Sequence, residues 1–185
     1  SEGRGRAHVT VFRMEFEDIQ FGVFDGTGFV VKNAGTAVSQ GIEFENIFAV
    51  TEALTTTLSL TYLDASYGSD IPAPGQSGDE LNQAPELSGL IGLNYDREIS
   101  QGLAMFSNLN YQYVGSHYLE YGDNSVQDSY GQAGFQIGLR DLSNSFRVTM
   151  WCENCFDEEY MVRTFSPPFN FDNSNVAYLG DPRTY

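Results

Sequence analysis

The chain has 185 residues, with 25 Asp and Glu against nine Lys and Arg and a formal net charge of −16. Nucleic-acid binding needs clustered cations to neutralise phosphate, so this balance excludes a nucleic-acid-binding protein. Hydrophobic residues make up 41% and aromatic residues 14%, and there are 19 glycines. This composition is too apolar for a disordered acidic tail and has the bias of an all-β protein. The longest apolar runs, such as Ile47 to Val50, are four residues, whereas a membrane-spanning helix needs roughly 18.

Seven segments alternate apolar and polar side chains with the period of two that marks a β-strand. The apolar sets are, in chain order, Phe12, Met14 and Phe16; Ile42, Phe44 and Phe48; Leu54, Leu58, Leu60 and Tyr62; Leu87, Ile91, Leu93 and Tyr95; Leu103, Met105, Leu109, Tyr111 and Tyr113; Ala133, Phe135, Ile137 and Leu139; Phe146, Val148 and Met150. Each set is expected on one face of its strand. The sequence therefore predicts an all-β, antiparallel up-and-down meander of about seven to eight long strands.

The predicted connections alternate between short turns and long polar loops. The short ones are 51–53, 99–102 and 142–145, and the long ones are 21–28, 68–84, 120–129 and 166–177. Short turns at one end and long loops at the other are typical of a bacterial outer-membrane barrel. Several strands reach ten residues or more, including a rising strand predicted over 146–163, and this length matches a tilted membrane strand. The pattern predicts part of a transmembrane β-barrel.

Tyrosines gather near the loop ends of the rising strands, where an amphipathic ring suits the boundary between lipid and water. They are Tyr62, Tyr67, Tyr111, Tyr113, Tyr118 and Tyr121. Two other interpretations remain open. Tyrosine is a good strand residue in any sheet, and a soluble β-sandwich gives the same alternation. A sandwich would cover Leu58, Leu60, Met105, Leu109 and Phe135 with a second sheet.

Three motifs resemble a known family. Asn154-Cys155-Phe156-Asp157-Glu158-Glu159-Tyr160 is followed, after a loop, by Gly180-Asp181-Pro182-Arg183-Thr184, and Asn33-Ala34-Gly35 precedes Gly41-Ile42-Glu43-Phe44-Glu45. In this order they resemble TonB-dependent outer-membrane receptors, which carry Asn-Leu-Phe-Asp-x-x-Tyr near the end, a Gly-x-Pro-Arg-Thr-like opening of the last strand, and a Gly-x-Glu-x-Glu stretch. Cys155 departs from the pattern, because leucine is usual there.

The resemblance implies a single barrel region over 1–185, part of a barrel of roughly 22 strands, with the plug domain, the TonB-engaging segment and the last strand outside it. It implies uptake of a scarce ligand through the plugged barrel in the outer membrane. The implied partners are TonB, outer-membrane lipid and lipopolysaccharide, and a small molecule; the ligand classes are siderophore, haem, cobalamin or oligosaccharide, with no resident cofactor. Structural roles follow for Gly41, Glu43, Glu45, Asn154, Asp157, Tyr160, Gly180, Pro182 and Arg183.

Ligand recognition is expected in the long loops, because loops carry binding residues on a rigid scaffold. The aromatic and histidine candidates there are His117, Tyr118, Tyr121 and Phe169. Ser116-His117 could also suggest hydrolysis, but the sequence has no nucleophile elbow, so we expect no enzyme. The loop carboxylates are expected to be a solvated rim, and Glu43, Glu45 and Glu153 to face inward opposite Arg13 and Arg147.

Cys152 and Cys155 form a Cys-x-x-Cys spacing, which elsewhere marks a redox pair or half of a zinc site. Within a continuous strand, three residues separate the thiols by about 10 Å on opposite faces, so a disulfide would require a bend. Zinc would require two more ligands, and the only histidines are His8 and His117. We expect two unpaired thiols and no metal, with a bulge near Asn154 as the alternative.

Two functions from other classes stay open at this point. One is a small eight-stranded outer-membrane barrel with a structural or adhesin-like role, which would require the first and last strands to pair. The other is a secreted, soluble β-sandwich that binds sugar. A β-sandwich would cover the apolar face with a second sheet, whereas a membrane barrel would leave that face uncovered.

Overall fold

All regular structure in the described residues is β-strand. The structure, a computed structural model, describes residues 3–24, 27–69, 71, 78–121, 125–143, 145–165, 167 and 174–185, apart from the side chains at 23, 24 and 34. The strands are β1 (Gly5–Phe24), β2 (Phe29–Ala49), β3 (Leu54–Tyr67), β4 (Leu87–Ser100), β5 (Leu103–Val114), β6 (His117–Tyr118), β7 (Val126–Gln127), β8 (Tyr130–Asp141), β9 (Arg147–Cys152), β10 (Met161–Phe165) and β11 (Val176–Leu179). The described residues include no helix that could cross a membrane.

Seven strands form one antiparallel sheet in the order β1-β2-β3-β4-β5-β8-β9. Its long strands follow one another in space as they do along the chain, which confirms the predicted meander. Two further pairs, β6-β7 and β10-β11, form separate two-stranded sheets. In the described sheet β1 pairs only with β2, and β9 only with β8. The sheet is therefore open at both edges and does not form the small closed barrel.

The strand register places most of the predicted apolar sets on one face, which we call the apolar face. Phe44 lies opposite Leu60, and Leu58 opposite Ile91, which pairs in turn with Tyr111. Leu60 is 42% exposed and Leu109 47% exposed, and no second sheet covers them in the described part of the chain. A soluble sandwich would bury this face. We call the opposite side of the same strands the polar face.

Phe12, Met14 and Phe16 share one face of β1, as predicted, but it is the polar face and not the apolar face. Val11 pairs with Ile42, so Val9 and Val11 lie on the apolar face, whereas Phe12 pairs with Gly41 on the polar face. Both faces of β1 carry apolar residues, and alternation alone therefore cannot orient the strand. The register with β2 decides it.

The long loop predicted over 21–28 is also wrong. Strands β1 and β2 continue to Phe24 and from Phe29, so the hairpin extends well past the predicted turn. Asp18 and Gly35 lie opposite each other within this hairpin, and both adopt positive φ, at 54° and 30°. The short turns after β2, β4 and β8 fall where the sequence predicts them.

Candidate functional site

The predicted rising strand over 146–163 is interrupted by a turn, and that turn brings the C-terminal motifs together. β9 ends at Cys152 and β10 begins at Met161, with positive φ at Asn154 and Asp157. Backbone bonds join Glu153 to Thr184 in both directions, at 2.9 and 3.1 Å. We call residues 153–160 together with 180–184 the C-terminal clasp.

The buried side chain of Asn154 holds the clasp at both ends. Its amide nitrogen donates to the Glu158 carbonyl at 2.9 Å and to the Asp181 carbonyl at 3.0 Å, and its Oδ1 accepts from the Glu158 N–H at 2.9 Å. Asp157 accepts from the Arg183 N–H at 3.0 Å. Asparagine combines two donors and two acceptors with tolerance of positive φ, which explains the residue type at this position.

Tyr160 and Gly180 form the apolar side of the clasp. The Tyr160 ring stacks on Tyr130 with centroids 4.5 Å apart. A Cβ added at Gly180 would lie 1.9 Å from that ring, while the Gly180 N–H donates to the Tyr160 carbonyl at 2.8 Å. Only glycine allows this approach. The structural roles of Asn154, Asp157, Tyr160, Gly180, Pro182 and Arg183 stay predictions, but all six residues lie in this one assembly.

The expectation of two unpaired thiols is wrong. Cys152 and Cys155 form a disulfide with their Cα atoms 5.7 Å apart, within the usual range for such bonds. The left-handed Asn154 between them turns the chain back on itself, so the thiols do not lie on opposite faces. This is the bend that a continuous strand lacks. No group of three or more potential metal ligands occurs in the described residues.

The long-loop side of the sheet carries a second assembly, which we call the loop tier, formed by residues 78–86, the β6–β7 pair with residues 119–121 and 125, and strand β10. Gln83 connects all three, because its side-chain amide donates to the Leu119 carbonyl at 3.0 Å and to the Val162 carbonyl at 3.1 Å. The Met161 N–H donates to Oε1 of Gln127 at 2.7 Å. Leu119 is 1% exposed beneath them. These bonds join residues up to 79 positions apart, and alternation gives no signal for them.

The ligand-contact candidates have different surroundings. His117 is buried rather than exposed, and its Nδ1 lies 2.9 Å from the Gly115 carbonyl oxygen. Tyr118 is exposed on the hairpin, and Phe169 lies outside the described residues. Tyr121 stacks on Phe21 at 4.0 Å and meets Tyr67 edge-on at 5.3 Å. All four stay predictions as ligand contacts.

The tyrosines predicted at the lipid–water boundary divide into two groups. Tyr62 and Tyr111 are exposed on the apolar face, as predicted, but Tyr67 is buried and forms an internal cluster with Phe21 and Tyr121. Tyr67 donates to Asn82 at 2.6 Å, and burial raises its pKa to about 12.

A row of hydrogen-bonded polar side chains crosses the apolar face of β1, β2 and β3, and Tyr67 lies on the loop side of this row. In this polar ladder, Arg13 donates to Gln40 at 2.6 Å and Gln40 donates to Asp64 at 2.8 Å. This ladder marks the loop-side limit of the apolar band.

The predicted inward pairing of acids with Arg13 and Arg147 is wrong. Arg13 lies on the apolar face and forms an ion pair with Glu15 at 2.9 Å, while Glu43 and Glu45 are on the polar face beside Thr10 and His8. The Phe12 ring packs closely on Gly41, from the same motif, because a Cβ added at Gly41 would lie 3.0 Å from that ring. Arg147 stacks over the Phe106 ring at 4.0 Å. Arg140 and Asp96 form an ion pair at 2.8 Å on the polar face.

A concavity of about 610 Å³ lies on the polar face between β5, β8, β9 and the clasp. Amide side chains line it, together with one indole and two carboxylates: Asn108, Asn110, Gln112, Gln132, Gln136, Trp151, Glu153 and Asp181. We call it the amide concavity. In the sequence these residues are the polar half of the alternation in β5 and β8, a pattern that any hydrated strand face shows.

A family model described as the TonB-dependent receptor-like β-barrel matches residues 1–155. The chain belongs to this family. The match confirms the resemblance read from the motifs, and the open sheet is a stretch of a TonB-dependent receptor barrel. The matched range ends at Cys155, before most of the clasp. No curated protein is similar enough in sequence to be matched.

Solved structures of TonB-dependent receptors share this fold. The ferric yersiniabactin uptake receptor FyuA from Yersinia pestis superposes with a TM-score of 0.82 at 17% identity, covering 99% of this chain and 27% of FyuA. The siderophore receptor PiuA from Acinetobacter baumannii gives 0.68 at 16% identity over 97% and 25%. The ferric-catecholate import receptor Fiu from E. coli K12 gives 0.67 at 19% over 98% and 24%. The chain spans about a quarter of the length of these receptors.

Proposed function

We propose that this chain is part of the barrel wall of an outer-membrane receptor that imports a ferric siderophore with energy delivered by TonB. The observation that carries the proposal is the fold shared with FyuA, a ferric yersiniabactin uptake receptor, over 99% of the chain at a TM-score of 0.82. PiuA, a siderophore receptor, and Fiu, a ferric-catecholate import receptor, share the same stretch. Among siderophore, haem, cobalamin and oligosaccharide, these likenesses favour the siderophore.

The apolar face supports a location in the outer membrane. Leu60, Ile91 and Leu109 lie on it with about half of each side chain exposed, and a lipid environment removes the cost of exposing such a face to water. The Arg13–Gln40–Asp64 ladder and the exposed rings of Tyr62 and Tyr111 suit the boundary where lipid meets lipopolysaccharide. We propose lipid and lipopolysaccharide as neighbours of this face.

The loop tier is the proposed place of ligand entry, with Tyr118 and the predicted Phe169 as aromatic contacts. Gln83 and Gln127 tie its segments together, so the loops present a preformed surface, which lowers the entropy that binding must overcome. His117 and Tyr121 pack inside this tier. We propose that they hold the shape of the tier in addition to any contact that they make with the ligand.

Uptake by cells that carry the complete receptor tests the proposal. A strain that lacks the receptor should lose accumulation of radioactive iron from at least one ferric siderophore, and the complete gene should restore it only in a TonB-positive background. Uptake of haem, cobalamin and maltotriose is measured in the same strains for comparison. Restored uptake of one of these three, with no ferric siderophore transported, would overturn the siderophore assignment.

A further inference from the structure

We infer that the amide concavity is a subsite for an electrically neutral ligand that is rich in hydroxyl or amide groups, and that it discriminates against anionic ligands. The inference deepens the proposed function and rests on it, because it places the subsite on the polar face that the transported ligand would pass. It concerns the wall between β5 and β9, away from the loop tier.

The first observation is the hydrogen-bonding capacity of the concavity. Gln112, Gln132 and Gln136 line it, and none of their side chains forms a hydrogen bond with another described residue. Each neutral amide offers two donors and a carbonyl acceptor. Gly134 lies between Gln132 and Gln136, and the Asn110 amide packs closely over it, 3.0 Å from the position that a Cβ would take. Such a surface suits a ligand with many hydroxyl or amide groups.

The second observation is the indole beside these amides. Trp151 pairs with Gln136 across β8 and β9, and its side chain is 37% exposed on the same face. An aromatic ring gives a flat apolar platform next to polar groups. Amides around an exposed ring are suited to a neutral ligand that has both C–H faces and hydroxyl or amide edges.

The third observation is the charge. None of the described lining residues is Lys, Arg or His, while Glu153 and Asp181 are exposed at the margin. The nearby cations on this face are already engaged, Arg140 by Asp96 and Arg147 by the Phe106 ring. An anion entering the concavity would meet two carboxylates and no cationic side chain among the described lining residues, and like charges disfavour binding.

Two kinds of molecule have this neutral chemistry, a ferric trihydroxamate and an oligosaccharide. The test measures equilibrium binding to the complete receptor in detergent, with a neutral ferric trihydroxamate, an anionic ferric tris-catecholate and maltotriose as probes. The variants are Gln136→Leu, Gln132→Leu and Trp151→Leu. Ser59→Ala, on the polar face of β3 away from the concavity, is the matched control. All are compared at equal amounts of heat-modifiable, folded barrel.

We expect the neutral trihydroxamate to bind at least about tenfold more tightly than the tris-catecholate, since one unmatched polar contact alters affinity by about that factor. Each Leu variant should weaken the neutral probe by about tenfold, and Ser59→Ala should leave it unchanged. Binding of maltotriose alone, with the same loss in the variants, would overturn the siderophore function and support the subsite. Equal binding of both iron complexes, unaltered binding in all three Leu variants, or no binding of either neutral probe would overturn the inference.

Discussion

The barrel wall and the C-terminal clasp hold neighbouring parts of the chain in different ways. In the wall, β2, β3, β4, β5 and β8 are joined by backbone hydrogen-bond ladders, so no single side chain makes the connection between two strands. In the clasp, a broken strand is held by the side chains of Asn154 and Asp157, by the approach of Gly180 to Tyr160, and by one disulfide.

This difference predicts different responses to substitution. A backbone ladder does not depend on residue type. The stability of the wall should therefore respond chiefly to charged substitutions, and the loss should depend on the face that carries the charge. The clasp depends on single side chains that have no substitute nearby. Four predictions test the contrast, each measured as the free energy of unfolding of the complete receptor in lipid or detergent.

An arginine on the apolar face should have the largest effect. Leu58 lies midway between Leu54 and Tyr62 on this face, and an arginine at the lipid midplane of a barrel costs about 2–4 kcal/mol. Leu58→Arg should lower stability by this amount. Ser59→Arg, one residue along and on the polar face, should have little effect. Equal losses from both variants would contradict the assignment of faces.

Gly180→Val should disrupt the clasp. Its Cβ would overlap the Tyr160 ring, which is itself held against Tyr130, and overpacking of this kind costs about 3 kcal/mol. Gly22→Val is the matched control, because nothing lies within 4 Å of a Cβ added at Gly22. Urea unfolding followed by heat-modifiable gel migration would measure both. Equal urea midpoints for the two variants would contradict the close approach of Gly180 to the Tyr160 ring.

Asn154→Ala should cost about 2–3 kcal/mol, because it leaves buried backbone groups without partners and puts alanine at positive φ. Asn46→Ala is its control, since the Asn46 side chain makes one 3.3 Å bond to the Arg6 carbonyl at the wall. We expect a loss below about 1 kcal/mol there. If Asn46→Ala lowered the free energy of unfolding as much as Asn154→Ala, the stability of the clasp would not depend specially on its side chains.

Removal of the disulfide should have the smallest effect. The loop closed by Cys152 and Cys155 contains four residues, for which the chain-entropy relation gives about 2 kcal/mol. The double variant Cys152→Ser, Cys155→Ser should therefore melt earlier than the oxidised protein and match the protein treated with reductant. A reductant-sensitive shift that persists in the double variant would contradict this origin.

The sequence predicts the wall better than the clasp or the loop tier, for physical reasons. In β3, β4, β5 and β8 one face is apolar and the other hydrated, so alternation identifies both the strand and its faces. In β1, Val9 and Val11 on one face and Phe12 and Phe16 on the other remove that contrast, and only pairing with β2 orients the strand.

The clasp was recognisable by motif but not by geometry. A positive φ at Asn154 breaks the two-residue period on which strand prediction depends, and the disulfide follows from that turn. The Gln83 contacts with Leu119 and Val162 join distant segments, and such contacts leave no local pattern. For the same reason the sequence groups Tyr67 and Tyr121 with the tyrosines of the lipid–water boundary, whereas in the structure both pack against Phe21.

The length of the β1–β2 hairpin has a consequence for the cell surface. β1 has 20 residues, so it extends about 68 Å along its axis, or about 48 Å in height at a tilt of 45°. The apolar band of such barrels is only about 25 Å tall, and on β1 it ends near Arg13. In the proposed orientation the hairpin beyond Asp18 and Gly35 rises above the lipopolysaccharide boundary as a paddle. In that orientation the paddle is exposed to large particles that approach the cell, such as an antibody or a toxin.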